Sequence, residues 1–166
     1  MKHYIIGSRL LVDLFPHLSS RLKLESDYDF LVENEPSKED VKYFKQLYGN
    51  KTELHYIPLV WPYFEKGNDL ANVLFTLKCS HVGFDQIHKD KTFHDIWLLN
   101  REGCKIIEPL YFQLYEYWES IKGVKWRADF TKESNEFFDD AVSRENEHDN
   151  LHLKYAFEKG KPAFKY

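Results

Sequence analysis

The sequence predicts an α+β protein with a small mixed β-sheet in an N-terminal α/β lobe, residues 1–62, and a helical lobe packed on it, residues 63–166. Up to Pro58, short extended segments alternate with helical ones, which suits a small sheet carrying helices. After Pro62, apolar residues recur at helical spacing.

The N-terminal lobe is predicted to have the order βαβαβ. Ser8 is predicted to cap the first helix, which stops before Pro16, and Ser37 with Asp40 to form a capping box at the start of the second. Gly49 then ends that helix. The predicted strands are residues 2–6, 28–33 and 53–59, and residues 17–25 are expected to be irregular.

The helical lobe is predicted to begin at Asn68-Asp69 with a helix whose stripe includes Leu70, Val73, Leu74 and Leu77. Further helices are predicted over residues 89–100 and 107–121. A strongly charged helical region is expected at 132–158.

Composition limits the functional classes. The chain has 166 residues, enough for one domain or two small lobes. Its net charge of −4 argues against a broad nucleic-acid-binding surface, which needs a basic stripe, but leaves recognition of one nucleotide or an RNA end open. Cys79 and Cys104 lack CxxC spacing, which argues against a disulfide framework or zinc knuckle. With no signal peptide or membrane span in the sequence, a cytoplasmic protein is expected.

Two acidic residues alternate with aromatic ones in Asp27-Tyr28-Asp29-Phe30. If this segment is a strand, its period of two places both carboxylates on one face and both rings on the other. Strands disfavour Asp, so a pair of them favours a functional explanation. Carboxylate oxygens at this spacing suit a hard divalent cation such as Mg²⁺.

Gly7-Ser8 follows the apolar run Tyr4-Ile5-Ile6. A tight turn there presents backbone N–H groups and a hydroxyl, the donors that a phosphate needs. A cation site and an anion site together indicate phosphoryl chemistry.

These segments resemble the nucleotidyltransferase superfamily that includes DNA polymerase β and the minimal nucleotidyltransferases. Its signature is a Gly-Ser turn, a strand with Asp-x-Asp, and a third carboxylate on a later strand. Here these parts read Gly7-Ser8-Arg9, Ser26-Asp27-Tyr28-Asp29-Phe30 and Glu53 within Thr52-Glu53-Leu54-His55-Tyr56. The chain also looks like compact bacteriophage-encoded members of this fold.

The resemblance implies a nucleotidyltransferase-like fold for the N-terminal lobe and a magnesium-dependent transfer of NMP from an NTP. Asp27 and Asp29 would hold one or two Mg²⁺ ions, and Glu53 would complete the cluster as a metal ligand or general base. Gly7 and Ser8 would contact phosphates, with Arg9 and Ser26 as further candidates. The acceptor is open among a tRNA end, a protein side chain, a small molecule and another nucleotide.

In that superfamily a Lys and a Ser of the helical lobe often hold the triphosphate, which nominates Lys78 and Ser80, with His81 beside them. The alternative is a lysine whose stem covers apolar surface and a histidine at the edge of the core.

Two other hypotheses come from different classes. His81, His94, Asp95 and Asp149 resemble the ligands of HD-type metal phosphohydrolases, and His148 with His152 could share a metal on one helical face. The chain could also be a nucleotidyltransferase-fold binding protein that has lost turnover.

Overall fold

A computed structural model of the chain describes residues 1–22, 27–84 and 89–122. The predicted helical region 132–158 lies outside these residues. In chain order the strands and α-helices are β1 (His3–Ile6), α1 (Gly7–Leu14), β2 (Asp29–Val32), α2 (Lys38–Tyr48), β3 (Glu53–His55), α3 (Trp61–Lys66), α4 (Leu70–His81), α5 (Lys89–Arg101) and α6 (Glu108–Lys122). The mixed α+β class is confirmed.

The chain divides into two compact units, Met1–Leu74 and Phe75–Tyr166. The first unit contains β1 to β3 and the second contains α5 and α6, while α4 runs from one into the other. The lobe division predicted between residues 62 and 63 stays a prediction.

The sheet of the first unit has the order β1-β2-β3. Strand β1 pairs antiparallel with β2, and β3 pairs parallel with β2 after the crossover through α2. Because β2 is central, Asp29 has a partner on each side, Ile6 in β1 and Glu53 in β3. The C-terminal end of β1 and the N-terminal ends of β2 and β3 therefore lie side by side at one end of the sheet.

One face of the sheet is aromatic and packs on α2. Phe30 contacts His3 at 5.3 Å, Phe44 at 5.4 Å and Tyr48 at 4.7 Å between ring centroids. The Tyr28 ring stacks beside Phe30 at 6.0 Å, so these two aromatic residues lie on one side as the alternation predicts. Edge-to-face and offset ring pairs of this kind add stability beyond simple burial.

The opposite face carries Tyr4, whose ring contacts Trp61 and Phe64 of α3. Tyr4 is the register partner of Leu31, which is fully buried. Asp29 precedes Leu31 by two residues, so its side chain projects from this same face.

The start of α1 differs from the prediction. Ser8 is not the N-cap, because α1 already begins at Gly7 with Ile6 in the cap position. Gly7 has φ +72°, a backbone conformation that side chains disfavour and glycine adopts readily. The helix thus begins two residues earlier than predicted, and Ser8 becomes a buried residue of its first turn.

The predicted third strand is too long, since β3 ends at His55. Pro58 cannot donate to a ladder, and Val60 N instead donates to Ile57 O in a turn that leads into α3. Helix α3 was not predicted. Pro62 lies in its first turn, a position that needs no backbone donor. Residues 16–21, expected to be irregular, form a 3-10 helix.

Helix α2 has the predicted capping box. Asp40 N donates to Ser37 Oγ, and Ser37 N donates to Asp40 Oδ2. The backbone and side-chain hydrogen bonds with Ser37 lower the pKa of Asp40. Gly49 follows as the predicted C-cap, with φ +108°.

Helices α5 and α6 match the predicted ranges to within one residue at each end, and α4 begins within two residues of its predicted start. Polar groups bind these helices together in the second unit, where Thr76 Oγ1 accepts a hydrogen bond from Ile107 N at 2.9 Å. None of the helices in the described residues combines the length and apolar character needed to cross a bilayer.

Both cysteines are buried free thiols. Burial raises the pKa of Cys79 well above its ordinary value, and burial together with Glu102 raises the pKa of Cys104 to about 11. The thiolate is the reactive form. We therefore expect neither thiol of the native protein to react with iodoacetamide at about pH 8, and both to react after unfolding in urea. Mass spectrometry would count the adducts, and rapid alkylation without urea would contradict this burial.

Candidate functional site

The candidate site begins where β1 turns into α1 beside the start of β2. A Cβ atom added to Gly7 would lie 2.7 Å from Asp29 Oδ2 and 3.2 Å from Asp29 Cβ. Any side chain at this position would displace the Asp29 carboxylate, and the positive φ of Gly7 independently disfavours residues other than glycine. The Gly7 backbone therefore lies directly against the Asp29 carboxylate.

The other oxygen of Asp29 faces β3. His55 Nε2 lies 3.1 Å from Asp29 Oδ1 and 3.6 Å from Glu53 Oε2. One ligand atom from each of these three residues lies within 4.8 Å of the other two. We call Asp29, Glu53 and His55 the acid–imidazole cluster.

Strand geometry explains the acid–imidazole cluster. Glu53 is paired with Asp29 in parallel register, and its N–H donates to Tyr28 O at 2.9 Å. His55 follows Glu53 by two residues, so both side chains project from one face of β3. This is the face that carries Asp29.

The acid–imidazole cluster is open to solvent to different degrees. The side chain of Asp29 is 24% exposed, that of His55 36% and that of Glu53 60%. Two carboxylates share one imidazole, so the acid–imidazole cluster has no positive net charge in any state with both acids ionised. Such a group attracts a cation.

The two predicted acidic residues, Asp27 and Asp29, differ in their surroundings. Within the described residues, the three-ligand group takes Asp29 and leaves out Asp27. Arg9 Nε donates to the backbone oxygen of Asp27 at 3.3 Å, and the Arg9 guanidinium lies 3.7 Å from the centre of the Tyr28 ring. The metal role of Asp27 and the phosphate role of Arg9 stay predictions, and Ser26 lies outside the described residues.

The candidates on α4 make contacts inside the second unit. Lys78 Nζ lies 2.9 Å from Asp95 Oδ2. Ser80 is 1% exposed, and its hydroxyl donates to Leu77 O and accepts from Trp118 Nε1. His81 Nε2 accepts a hydrogen bond from Lys122 Nζ at 2.8 Å. Their assignment to a triphosphate stays a prediction.

Three of the residues proposed as phosphohydrolase ligands lie in the second unit, within the described residues. His81, His94 and Asp95 do not form a three-ligand group in the part of the chain that the structure describes. Asp95 is 1% exposed and paired with Lys78. Asp149, His148 and His152 lie outside the described residues.

Sequence reasoning missed His55 as a member of the site. The sequence did contain an indication of this role, because His55 follows Glu53 by two residues and both side chains therefore lie on one face of a strand. The sequence alone does not show that this face also carries Asp29, because that depends on the register between β2 and β3.

Replacing Gly7 with Ala is expected to damage both the fold and the site. The new methyl group would meet Asp29 Oδ2, and the left-handed backbone would add about 1–2 kcal/mol of strain. We expect the free energy of unfolding to fall by about 2 kcal/mol or more. Cation affinity should fall in parallel, because Asp29 Oδ1 moves with its carboxylate.

Gly67→Ala is the matched control for this variant. Gly67 has φ +71°, but a methyl group there meets no atom within 4 Å. It therefore reproduces the backbone strain without the contact with Asp29. Equal losses of stability in the two variants, with unchanged cation affinity, would show that Gly7 does not position Asp29.

The first unit is thus a small α+β unit with two carboxylates and an imidazole at one end of its sheet. The chain belongs to the family described as DUF7275, a domain of unknown function, whose match covers residues 73–166, more than half of the chain. No curated protein and no solved structure matches the chain. The matched residues nearly coincide with the second unit, whereas the acid–imidazole cluster lies in the first.

Proposed function

We propose that the protein is a divalent-cation-dependent nucleotidyltransferase that moves an NMP from an NTP to an acceptor. The observation that carries this proposal is that Gly7, Asp29 and Glu53 lie together at one end of the sheet. It combines a backbone turn at the start of α1 with two carboxylates in register. The resemblance of Gly7-Ser8 and Asp27-Tyr28-Asp29 to the superfamily signature supports the same class.

The residues fit a cation, because oxygen atoms of Asp29 and Glu53 lie within 4.8 Å of each other and both side chains are accessible. Mg²⁺ is the ion that carboxylate oxygens and phosphates commonly hold together. When bound, the cation neutralises charge on the phosphates and on the attacking oxygen.

The chain's own residues position and bind the reactants. Asp29, which lies against Gly7, would hold the cation, and Glu53 would either hold it too or accept the proton of the acceptor hydroxyl. The first N–H groups of α1 have no intrahelical partner, and Ile6 has no polar side chain to cap them. They are suited to a phosphate.

The reaction balances without another cofactor. The acceptor oxygen forms a bond to the α-phosphorus while the bond to the bridging oxygen of the leaving group breaks. Pyrophosphate leaves with that electron pair, and the acceptor proton passes to a base. Positioning and charge neutralisation supply most of the catalysis in phosphoryl-type transfers.

The test is to incubate the full chain with each α-labelled NTP, Mg²⁺ and cell extract, and to ask which molecule acquires the label. The proposal expects one labelled acceptor and stoichiometric pyrophosphate. Release of inorganic phosphate with no labelled acceptor would support the phosphohydrolase hypothesis instead. Cation-dependent NTP binding without turnover would support the inactive binding protein.

A further inference from the structure

We propose that the acid–imidazole cluster is a site for a first-row transition-metal dication, with His55 Nε2 as the ligand that selects such an ion over Mg²⁺. This inference deepens the proposed function and rests on its cation site. It goes beyond it in naming the class of metal and a nitrogen ligand.

The separations in the acid–imidazole cluster suit a shared cation. Two ligand atoms about 2.1 Å from one cation lie about 3.0 Å apart at adjacent corners of an octahedron and about 3.4 Å apart in a tetrahedron. His55 Nε2 lies 3.1 Å from Asp29 Oδ1 and 3.6 Å from Glu53 Oε2. Both separations are close to these values, and the chosen oxygens of Asp29 and Glu53 lie within 4.8 Å of each other.

The chemistry of the donors determines the preference. Imidazole nitrogen is a common ligand of zinc, iron and nickel, whereas Mg²⁺ takes oxygen ligands almost exclusively. Manganese accepts carboxylates as readily as magnesium does and also binds imidazole. A set of two carboxylates and one imidazole therefore favours transition metals over Mg²⁺, because His55 supplies a nitrogen ligand.

The backbone holds the acid–imidazole cluster in place. Asp29 lies on the central strand with Gly7 against Oδ2, which leaves Oδ1 directed toward His55. Glu53 and His55 lie on one short strand whose register is fixed by pairing with Asp29, Phe30 and Leu31. Ligands on paired strands are held more precisely than ligands on a loop.

The test measures metal binding without nucleotide. Mn²⁺ affinity of the full chain is measured by electron paramagnetic resonance, and Mg²⁺ affinity by competition against Mn²⁺. We expect Mn²⁺ to bind at least about tenfold more tightly than Mg²⁺. We also expect Mn²⁺ to broaden the imidazole resonances of His55 before those of His17, an exposed histidine of the first unit.

Two variants separate the ligands. His55→Gln keeps an amide donor toward Asp29 but removes the imidazole, so Mn²⁺ affinity should fall about tenfold while Mg²⁺ affinity changes less than about threefold. Glu53→Gln removes a carboxylate and should lower the affinity for both Mn²⁺ and Mg²⁺. His17→Gln is the matched control and should change neither affinity.

Several outcomes would overturn the inference. The first is equal affinity for Mn²⁺ and Mg²⁺, and the second is a ratio of these two affinities that His55→Gln leaves unchanged. The third is tighter metal binding in His55→Gln, which would mean that His55 serves as an internal cation. Failure of the proposed function is distinct, because a chain that binds Mn²⁺ through His55 but transfers no NMP refutes the transferase and leaves the metal site intact.

Discussion

Asp29→Asn should reduce transfer of label from NTP by at least about a hundredfold, the largest effect expected of a substitution in the first unit. Asn has the same shape, but it lacks the negative charge that attracts a cation. The loss should appear in Mn²⁺ affinity as well as in turnover, because both depend on Oδ1. Measurements of label transfer and of metal binding on the same preparation check the two effects.

Two other Asp→Asn variants calibrate this result. Asp13 is exposed on α1 of the same unit, and Asp13→Asn should retain full activity. Asp27→Asn should be less damaging than Asp29→Asn, because the three-ligand group includes Asp29 and not Asp27. If Asp27→Asn proves equally damaging, the metal pair implied by the family resemblance is correct and the acid–imidazole cluster is incomplete without Asp27.

Local patterns in the sequence were enough to predict much of this fold. The capping box of Ser37 and Asp40 depends on residues three apart, and the alternation of Tyr28 and Phe30 on residues two apart. Such short-range geometry is visible in the sequence because it depends only on residues that are close together in the chain. The same holds for the starts of α2 and α4.

What the sequence could not show depends on contacts between distant segments. The place of His55 follows from its strand's register against β2, across a separation of 26 residues from Asp29. Helix α3 was missed because prolines at 58 and 62 resemble a linker, although a proline in the first turn of a helix is well tolerated. The partner of Lys78 was missed for the same reason, since Asp95 lies 17 residues away on another helix.

The pairing of Lys78 with Asp95 leads to the largest stability prediction. Asp95 is 1% exposed and Lys78 16%, and their charged atoms lie 2.9 Å apart. Lys78→Met removes the ammonium group and leaves a buried carboxylate without it. The free energy of unfolding should fall by about 3 kcal/mol, because the Asp95 carboxylate stays buried but loses the ammonium group 2.9 Å away. Hydrogen exchange of the α5 amides would report this loss directly.

A double substitution and a surface control test the explanation. Lys78→Met combined with Asp95→Leu removes both charges and should recover most of the lost stability. Lys91→Met changes an exposed lysine of α5 and should alter stability by less than about 0.5 kcal/mol. The triphosphate role predicted for Lys78 gives the opposite pattern, in which Lys78→Met weakens NTP binding while the exchange rates of α5 stay unchanged. The two roles of this lysine are therefore separated by one variant and two measurements.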